Sequence, residues 1–436
     1  MTSTRNRAGP GRASSLRILF LEPFDAGSHR AFARGWAARS RHRITLAALP
    51  GRFWKWRLRG AAFAFAERIG GRLEAFDAVV ATSLMNAAEF AAAARLRIPL
   101  IVYAHENQLS YPRPPGEPLD HGLALASLAS AAAADAVVFN SAFHREAFSR
   151  GLDEWMARFP ELAPARTARA IRRRSVVTPP GIDWEGLAPL AHRGRGTAVA
   201  DGEDLLVVRL DRAVPGPGRK KAAPGHRRAR QSLHGWSRES SVRGDVEADD
   251  RQAHGPLVLW NHRWEFDKNA PAFFWALEQV ERRGRKFRLA LLGENTQFVP
   301  KPFLEARTHF RERIVRYGYV PSDAAYRAWL GRADLVVSTA RQENFGLSVA
   351  EAVAAGAFPL LPARLSYPGL LPERFHSDCL YHSQHDLVRR LDRLLARPDL
   401  LAKDRLARSR AMRRYDWSQV VPRLDALIDR VALRRR

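Results

Sequence analysis

Ala340-Arg-Gln-Glu-Asn-Phe-Gly-Leu-Ser-Val-Ala-Glu-Ala-Val-Ala-Ala-Gly356 places two carboxylates, Glu343 and Glu351, eight residues apart around the opening of a helix. The apolar, β-branched run Asp334 to Thr339 precedes it and reads as a buried parallel strand. Phe358-Pro-Leu-Leu361 follows as a next strand. The order strand, loop, helix, strand puts Glu343 in a loop at the carboxyl end of a strand, where open α/β sheets bind ligands, and Glu351 about two turns into the helix. Gly346, near the first helical turn, lets backbone N–H groups approach an anion. The plainer reading of the stretch alone is a capped surface helix with two solvated acids.

Outward from that stretch, strands and helices alternate on both sides. Leu16 to Leu21 reads as a first strand, Glu22-Pro-Phe-Asp-Ala-Gly-Ser-His29 as a loop, and Arg30 to Arg39 as a helix with Ser28 as its N-cap. Phe53-Trp-Lys-Trp-Arg57 reads as domain-interface packing or as a base-stacking surface. The strand Pro99 to Ala104 ends in His105-Glu106-Asn107-Gln108, a polar tetrad that favours function over structure at such an edge. Arg166 to Arg174 is a basic helix, either a solvated face or a polyanion contact. Beyond it, Ser175 to Asp183 closes the first half. From 191 to 255 the periodicity stops in a basic, Gly/Pro/Ser-rich segment, expected to be a mostly disordered insertion. Order resumes at Pro256 to Asn261. Arg263 and Lys268 then stand five apart in a strand-to-helix loop, a planar fork and a point charge suited to a diphosphate. Trp417 to Arg434 reads as a final amphipathic helix.

Composition bounds the function. The chain of 436 residues has room for two to three domains. Its single cysteine, Cys379, excludes an internal disulfide framework and any zinc site built on several cysteines. The formal charge of +26 suits a polyanionic partner, nucleic acid or an anionic membrane face, or reflects an arginine-rich surface with no such partner. No run approaches a membrane span, so no membrane anchor and a cytoplasmic location are expected, with a loose tail over 1–15.

Two successive α/β halves with Arg-x4-Lys early in the second and Glu-x7-Glu later resemble the retaining GT-B glycosyltransferases, in which two Rossmann-like domains face each other across a cleft. Glu22 to His29, His105-Glu-Asn-Gln-Leu-Ser-Tyr-Pro112, Val138-Phe-Asn-Ser141, His262 to Lys268 and Ser338 to Gly346 resemble the tRNA-queuosine alpha-mannosyltransferase family. Ala26 stands where that family tends to have a second glycine, and the basic insertion is longer than expected. The resemblance implies transfer of mannose from GDP-mannose to queuosine of tRNA-Asp, with retention and without a cofactor; no Asp-x-Asp motif stands in a suitable loop, so no metal is expected. It implies an N-terminal domain over 16–190, a nucleotide-sugar domain over 256–415 and a C-terminal helix over 416–436. Arg263 and Lys268 would hold the donor diphosphate, Glu343 the transferred sugar and Glu351 the ribose, with His105 touching the sugar from the other half. Gly27, Ser28, Asn344, Phe345 and Gly346 would complete the donor site; Glu106, Asn107, Arg172 and Arg173 would face the acceptor RNA. No second acid stands opposite Glu343 in the sequence, which favours front-face displacement over a double displacement. A glycosyltransferase for a lipid or polysaccharide, a non-catalytic RNA-binding protein and a sugar-nucleotide epimerase stay open as other readings. Oligomeric state is open.

Overall fold

A computed structural model describes residues 15–111, 116, 118–158, 160–192, 207–209, 254–293, 299–320 and 322–434. The tail expected over 1–15, Ser15 apart, and most of the 191–255 insertion, including its arginines at 227–230, lie outside the described residues.

The first half builds one parallel sheet from β1 (Arg17–Asp25), β2 (Arg43–Pro50), β3 (Ala78–Thr82), β4 (Leu100–Ala104), β5 (Ala136–Phe139), β6 (Ser175–Val177) and β7 (Val207–Arg209), in the order β6-β5-β4-β3-β1-β2-β7. Every residue of β3, β4 and β5 is buried, as aliphatic strands covered on both faces must be. β7 falls inside the segment read as an insertion and pairs with β2, so the loss of periodicity there hid a strand.

The second half builds β8 (Leu257–Trp260), β9 (Arg288–Leu291), β10 (Ile314–Tyr317), β11 (Leu335–Val337), β12 (Phe358–Pro362) and β13 (Leu380–Tyr381) into a parallel sheet of order β10-β9-β8-β11-β12-β13. That is the doubly wound order, reversing direction between β8 and β11; the first sheet reverses between β1 and β3. The fold is therefore α/β of the GT-B type, and ligands belong at the carboxyl ends of these two strand pairs.

Three sequence expectations need correction. β1 does not end at Leu21: it runs to Asp25 across a register shift, because Glu22 pairs with Ala48 and Asp25 with Pro50. The first helix, α1 (Gly27–Ala37), is N-capped by Ala26 rather than Ser28, and no side chain caps it. The aromatic cluster at the start of α2 (Trp54–Ile69) is not interface packing. Phe53 and Trp56 are 68% and 72% exposed.

The final helix, Trp417–Leu433, returns to the first sheet. Its buried Asp425 accepts hydrogen bonds from Trp36 Nε1 at 3.0 Å, Ser40 Oγ at 2.7 Å and the Arg41 amide at 2.9 Å. The Trp417 indole lies where only glycine leaves room, since a Cβ on Gly35 or on Gly181 would sit 2.2 Å from it.

Candidate active site

A cavity of about 590 Å³, including solvent-open space, lies between the halves and draws its walls from both strand-order reversals. His105, Glu106, Ser28, Tyr111 and Asn140 line it from the first half; Arg263, Asp267, Lys268, Gln342, Glu343, Asn344, Phe345, Gly346 and Leu347 line it from the second.

On the second wall the loop after β8 is tied to the end of β11: the Asp267 carbonyl accepts from the Arg341 amide at 2.7 Å, and Thr339 Oγ1 donates to the Lys268 carbonyl at 3.1 Å. Lys268 Nζ is thereby buried among three oxygens, Asp267 Oδ2 at 3.0 Å, the Gln342 carbonyl at 3.0 Å and Glu343 Oε2 at 3.3 Å. Burial opposes its charge, but Glu343 and Asp267 outweigh burial and raise its pKa. Arg263 is more open and pairs with Glu265 at 3.3 Å. The other Glu343 oxygen, Oε1, accepts from the Gly346 amide at 3.1 Å. Gly346 adopts φ +94° at the head of the helix Leu347–Ala354, a conformation that disfavours other residues. No side chain caps this helix or α1, and both starts reach the cavity, so two sets of helix N–H groups are placed to meet an anion.

The first wall is a chain of ionisable groups. Glu22 is fully buried near the end of β1, and its Oε1 accepts from the Phe24 amide at 2.9 Å and Thr82 Oγ1 at 3.1 Å and meets His29 Nδ1 at 3.1 Å. The other nitrogen of His29, Nε2, lies 3.5 Å from Glu106 Oε2. Burial pulls the His29 pKa down, yet Glu22 and Glu106 together overcome it and leave it raised to about 10. Glu106 is opposed by burial too, but the His29 charge holds it below its usual pKa, so it is ionised. The His105 ring lies tilted against that of His29, 4.1 Å between centroids, and burial beside that cation holds it neutral. Its Nε2 finds no partner among the described residues, as is true of Asp267 Oδ1.

Glu22, His29 and His105 have donor atoms within 4.8 Å of one another. A metal there would have to displace the proton that His29 holds between two carboxylates.

The expected residues are thus largely brought together, with differences in detail. Lys268 and Glu343, read as separate contacts, are an ion pair. Asn344 bridges the cleft, its Nδ2 donating to the His105 carbonyl at 3.1 Å. Glu351 is just over one helical turn in and does not line the cavity; its Oε2 accepts from Tyr326 at 3.2 Å. Gly27 also lies behind the lining, one residue before Ser28, with φ +48°. Asn107 turns inward to Ser110 at 3.0 Å. Arg172 and Arg173 sit on a separate helix, Ala165–Arg174, away from the lining, where Arg172 pairs with Asp153. Glu106, read from the sequence as facing the acceptor, lines the Glu343 cavity from the opposite half and so is the second acid that the sequence had not placed there. Glu22, His29 and Asp267 were passed over as active-site groups, although Glu22 near the end of β1 and His29 early in α1 stand either side of one turn.

The family comparisons match this arrangement half by half. The family model described as tRNA-queuosine alpha-mannosyltransferase N-terminal matches residues 17–182, and that of glycosyl transferases group 1 matches 255–395. The chain is 26% identical over 396 residues to the Drosophila melanogaster tRNA-queuosine alpha-mannosyltransferase, covering 89% of each chain. Its first half carries the N-terminal domain of the tRNA-queuosine alpha-mannosyltransferases. With this domain and a group 1 glycosyl transferase domain, the chain is a glycosyltransferase. Its fold is shared with sucrose-phosphate synthase from Thermosynechococcus elongatus, at TM-score 0.63 and 13% identity, covering 96% of this chain and 100% of that one. Anabaena HepE in complex with UDP-glucose aligns at TM-score 0.62 and 15% identity, covering 95% and 100%.

Proposed function

We propose that the chain transfers a mannosyl group from GDP-mannose to queuosine in tRNA, with retention. The observation that carries the reading is the convergence, in one cavity, of Arg263, Lys268 and two uncapped helix starts with Glu343, opposite an N-terminal half that matches the queuosine-enzyme model. The donor diphosphate binds at Arg263, Lys268 and the helix N–H groups. These also stabilise the charge that grows on the leaving oxygen as the bond from the sugar C1 breaks. Glu343, held by Lys268 and the Gly346 amide, orients the sugar hydroxyls. Glu351 takes the ribose hydroxyls.

The acceptor hydroxyl attacks C1 from the face that the diphosphate leaves, and its proton passes to the departing phosphate oxygen. Glu106, ionised against His29, holds the acceptor rather than the sugar. No covalent intermediate forms on the enzyme in this path. RNA as acceptor fits the charge of +26. No described helix is long and apolar enough to cross a membrane.

The test is incubation of the full chain with GDP-mannose and queuosine-containing tRNA, followed by nucleoside digestion and mass spectrometry. A hexose on queuosine is the expected product. Transfer from the same donor only to a lipid extract would overturn the acceptor, and conversion of the sugar nucleotide without any acceptor would make the protein an epimerase.

A further inference from the structure

From Ala26 to Ala66 the chain contains no Asp or Glu, while Lys and Arg number nine. In the middle of that run, three aromatic rings stand in solvent at the start of α2. Phe53 is 68% exposed, Trp54 37% and Trp56 72%. Phe63, one exposed helical face further along at 54%, lies seven residues beyond Trp56. Gly60 sits between them, and a Cβ there would meet nothing within 4 Å. Trp56, Gly60 and Phe63 are spaced i, i+4, i+7, so two rings flank an open gap on a single stripe.

Nothing about the fold calls for this arrangement. α2 packs its other face, Leu58, Ala61, Ala62 and Phe65, into the core. Phe53 is held at φ +55°, a conformation that a residue with a bulky side chain rarely adopts, and still projects its ring outward. Lys55 lies 5.6 Å over the Trp54 ring. Arg52 and Lys55 form no ion pair with a described residue, and the charges of Arg52 and Arg68 push the Arg57 pKa down beyond the effect of burial. Such a site attracts an anion that also offers flat faces.

The patch adjoins the cavity through the backbone. Asp25 pairs with Pro50, and a Cβ on Gly51 would sit 2.2 Å from the Ala26 Cβ, two residues before the lining Ser28. We infer that the α2 start, Phe53, Trp54 and Trp56 with Arg52 and Lys55, is the docking surface for unpaired bases of the acceptor RNA, stacking them while the target nucleoside reaches the cavity. Stacking on aromatic faces accepts any base, so recognition here is of a single-stranded loop rather than a sequence. The assignment rests on the RNA reading of the active site. A membrane surface suits the patch less well, because an interfacial helix needs a continuous apolar face toward lipid, and the apolar face of α2 is already buried.

The test uses the full chain and an unmodified tRNA transcript, which contains no queuosine and so separates binding from transfer. Trp56→Ala should weaken transcript binding about tenfold without changing its salt dependence. Phe53→Gly, which suits the positive φ, should weaken it while leaving thermal unfolding no worse. Arg52→Gln with Lys55→Gln should flatten the salt dependence by about one to two counterions. Donor hydrolysis should be unaffected in all three. Unchanged transcript affinity across the variants would overturn the surface, even if queuosine transfer is confirmed. Loss of binding to phosphatidylglycerol vesicles, with transcript binding intact, would overturn it in favour of a membrane contact. Weakened transcript binding in a protein that glycosylates no RNA would keep the surface and remove the proposed acceptor chemistry.

Discussion

Glu343 touches both the Lys268 ammonium and the Gly346 amide, so its two oxygens are held before any sugar arrives. Glu343→Gln is expected to lower kcat about a hundredfold, with a smaller change in donor KM, because alignment at the reacting centre is lost. Steady-state kinetics check this, and an unchanged kcat would remove the residue from the site. Glu351 is different. Burial raises its pKa to about 7, although the Tyr326 hydroxyl partly offsets that. Its ionised form is the better acceptor for ribose hydroxyls, so donor affinity should rise with pH through about 7. Calorimetric titration of GDP-mannose between pH 6 and 8, roughly a unit to either side, should give a flatter profile for Glu351→Gln; a profile unaltered by that change would sink the ribose role. The carboxylates were legible because both stood in the one stretch whose strand-loop-helix order was plain. The ionisation of Glu106 was not, because it depends on His29, seventy-seven residues away in the chain.

At the level of elements, the final helix is the part whose place the sequence could not indicate. Its amphipathic spacing was readable, but the sheet that it covers belongs to the other half. Asp425, itself buried, takes three donors, of which Trp36 Nε1 would be left buried without a partner, so Asp425→Ala should cost about 3 kcal/mol of stability. Gly181→Ala, which pushes a methyl into the Trp417 ring, should cost about 1–3 kcal/mol through overpacking. Denaturant unfolding followed by tryptophan fluorescence measures both. Losses near zero would mean that the helix is not docked as described. The aromatic start of α2 illustrates the same limit from the opposite direction, since ring-rich sequence reads as packing until exposure is known.

For the whole molecule, the halves meet at a crossing of two segments and across the cleft. Ile182 exchanges backbone hydrogen bonds with Tyr415 and Trp417, and Asp183 pairs with Arg327 at 2.6 Å. Beyond that crossing, Asn344 to His105 is a direct bond over the cavity. Donor binding should favour the closed cleft, as is common for sites built between two domains. Asn344→Ala should therefore reduce kcat/KM for donor roughly two- to tenfold, the range for one hydrogen bond, without lowering thermal stability by a comparable amount. Small-angle scattering with and without GDP-mannose should show a smaller radius of gyration when the donor is bound, and less compaction in the variant. Equal scattering in both states would argue for a cleft that does not move.

The sequence by itself determined the two alternating α/β halves, because aliphatic strand runs and helix starts are local signals. It also placed His105 at a strand end and Arg263, Lys268 and Glu343 in the loops that leave strand ends, since each loop follows a buried run. Only the tertiary structure decided which strand ends share a cavity, for that depends on strand order: β1 beside β3 and β8 beside β11 are neighbours that chain order does not disclose. It likewise decided that Glu22, His29 and Glu106 form one chain of charge and that the final helix closes the first sheet. Protonation and docking depend on what lies within a few ångströms, and in this fold those neighbours come from distant parts of the chain.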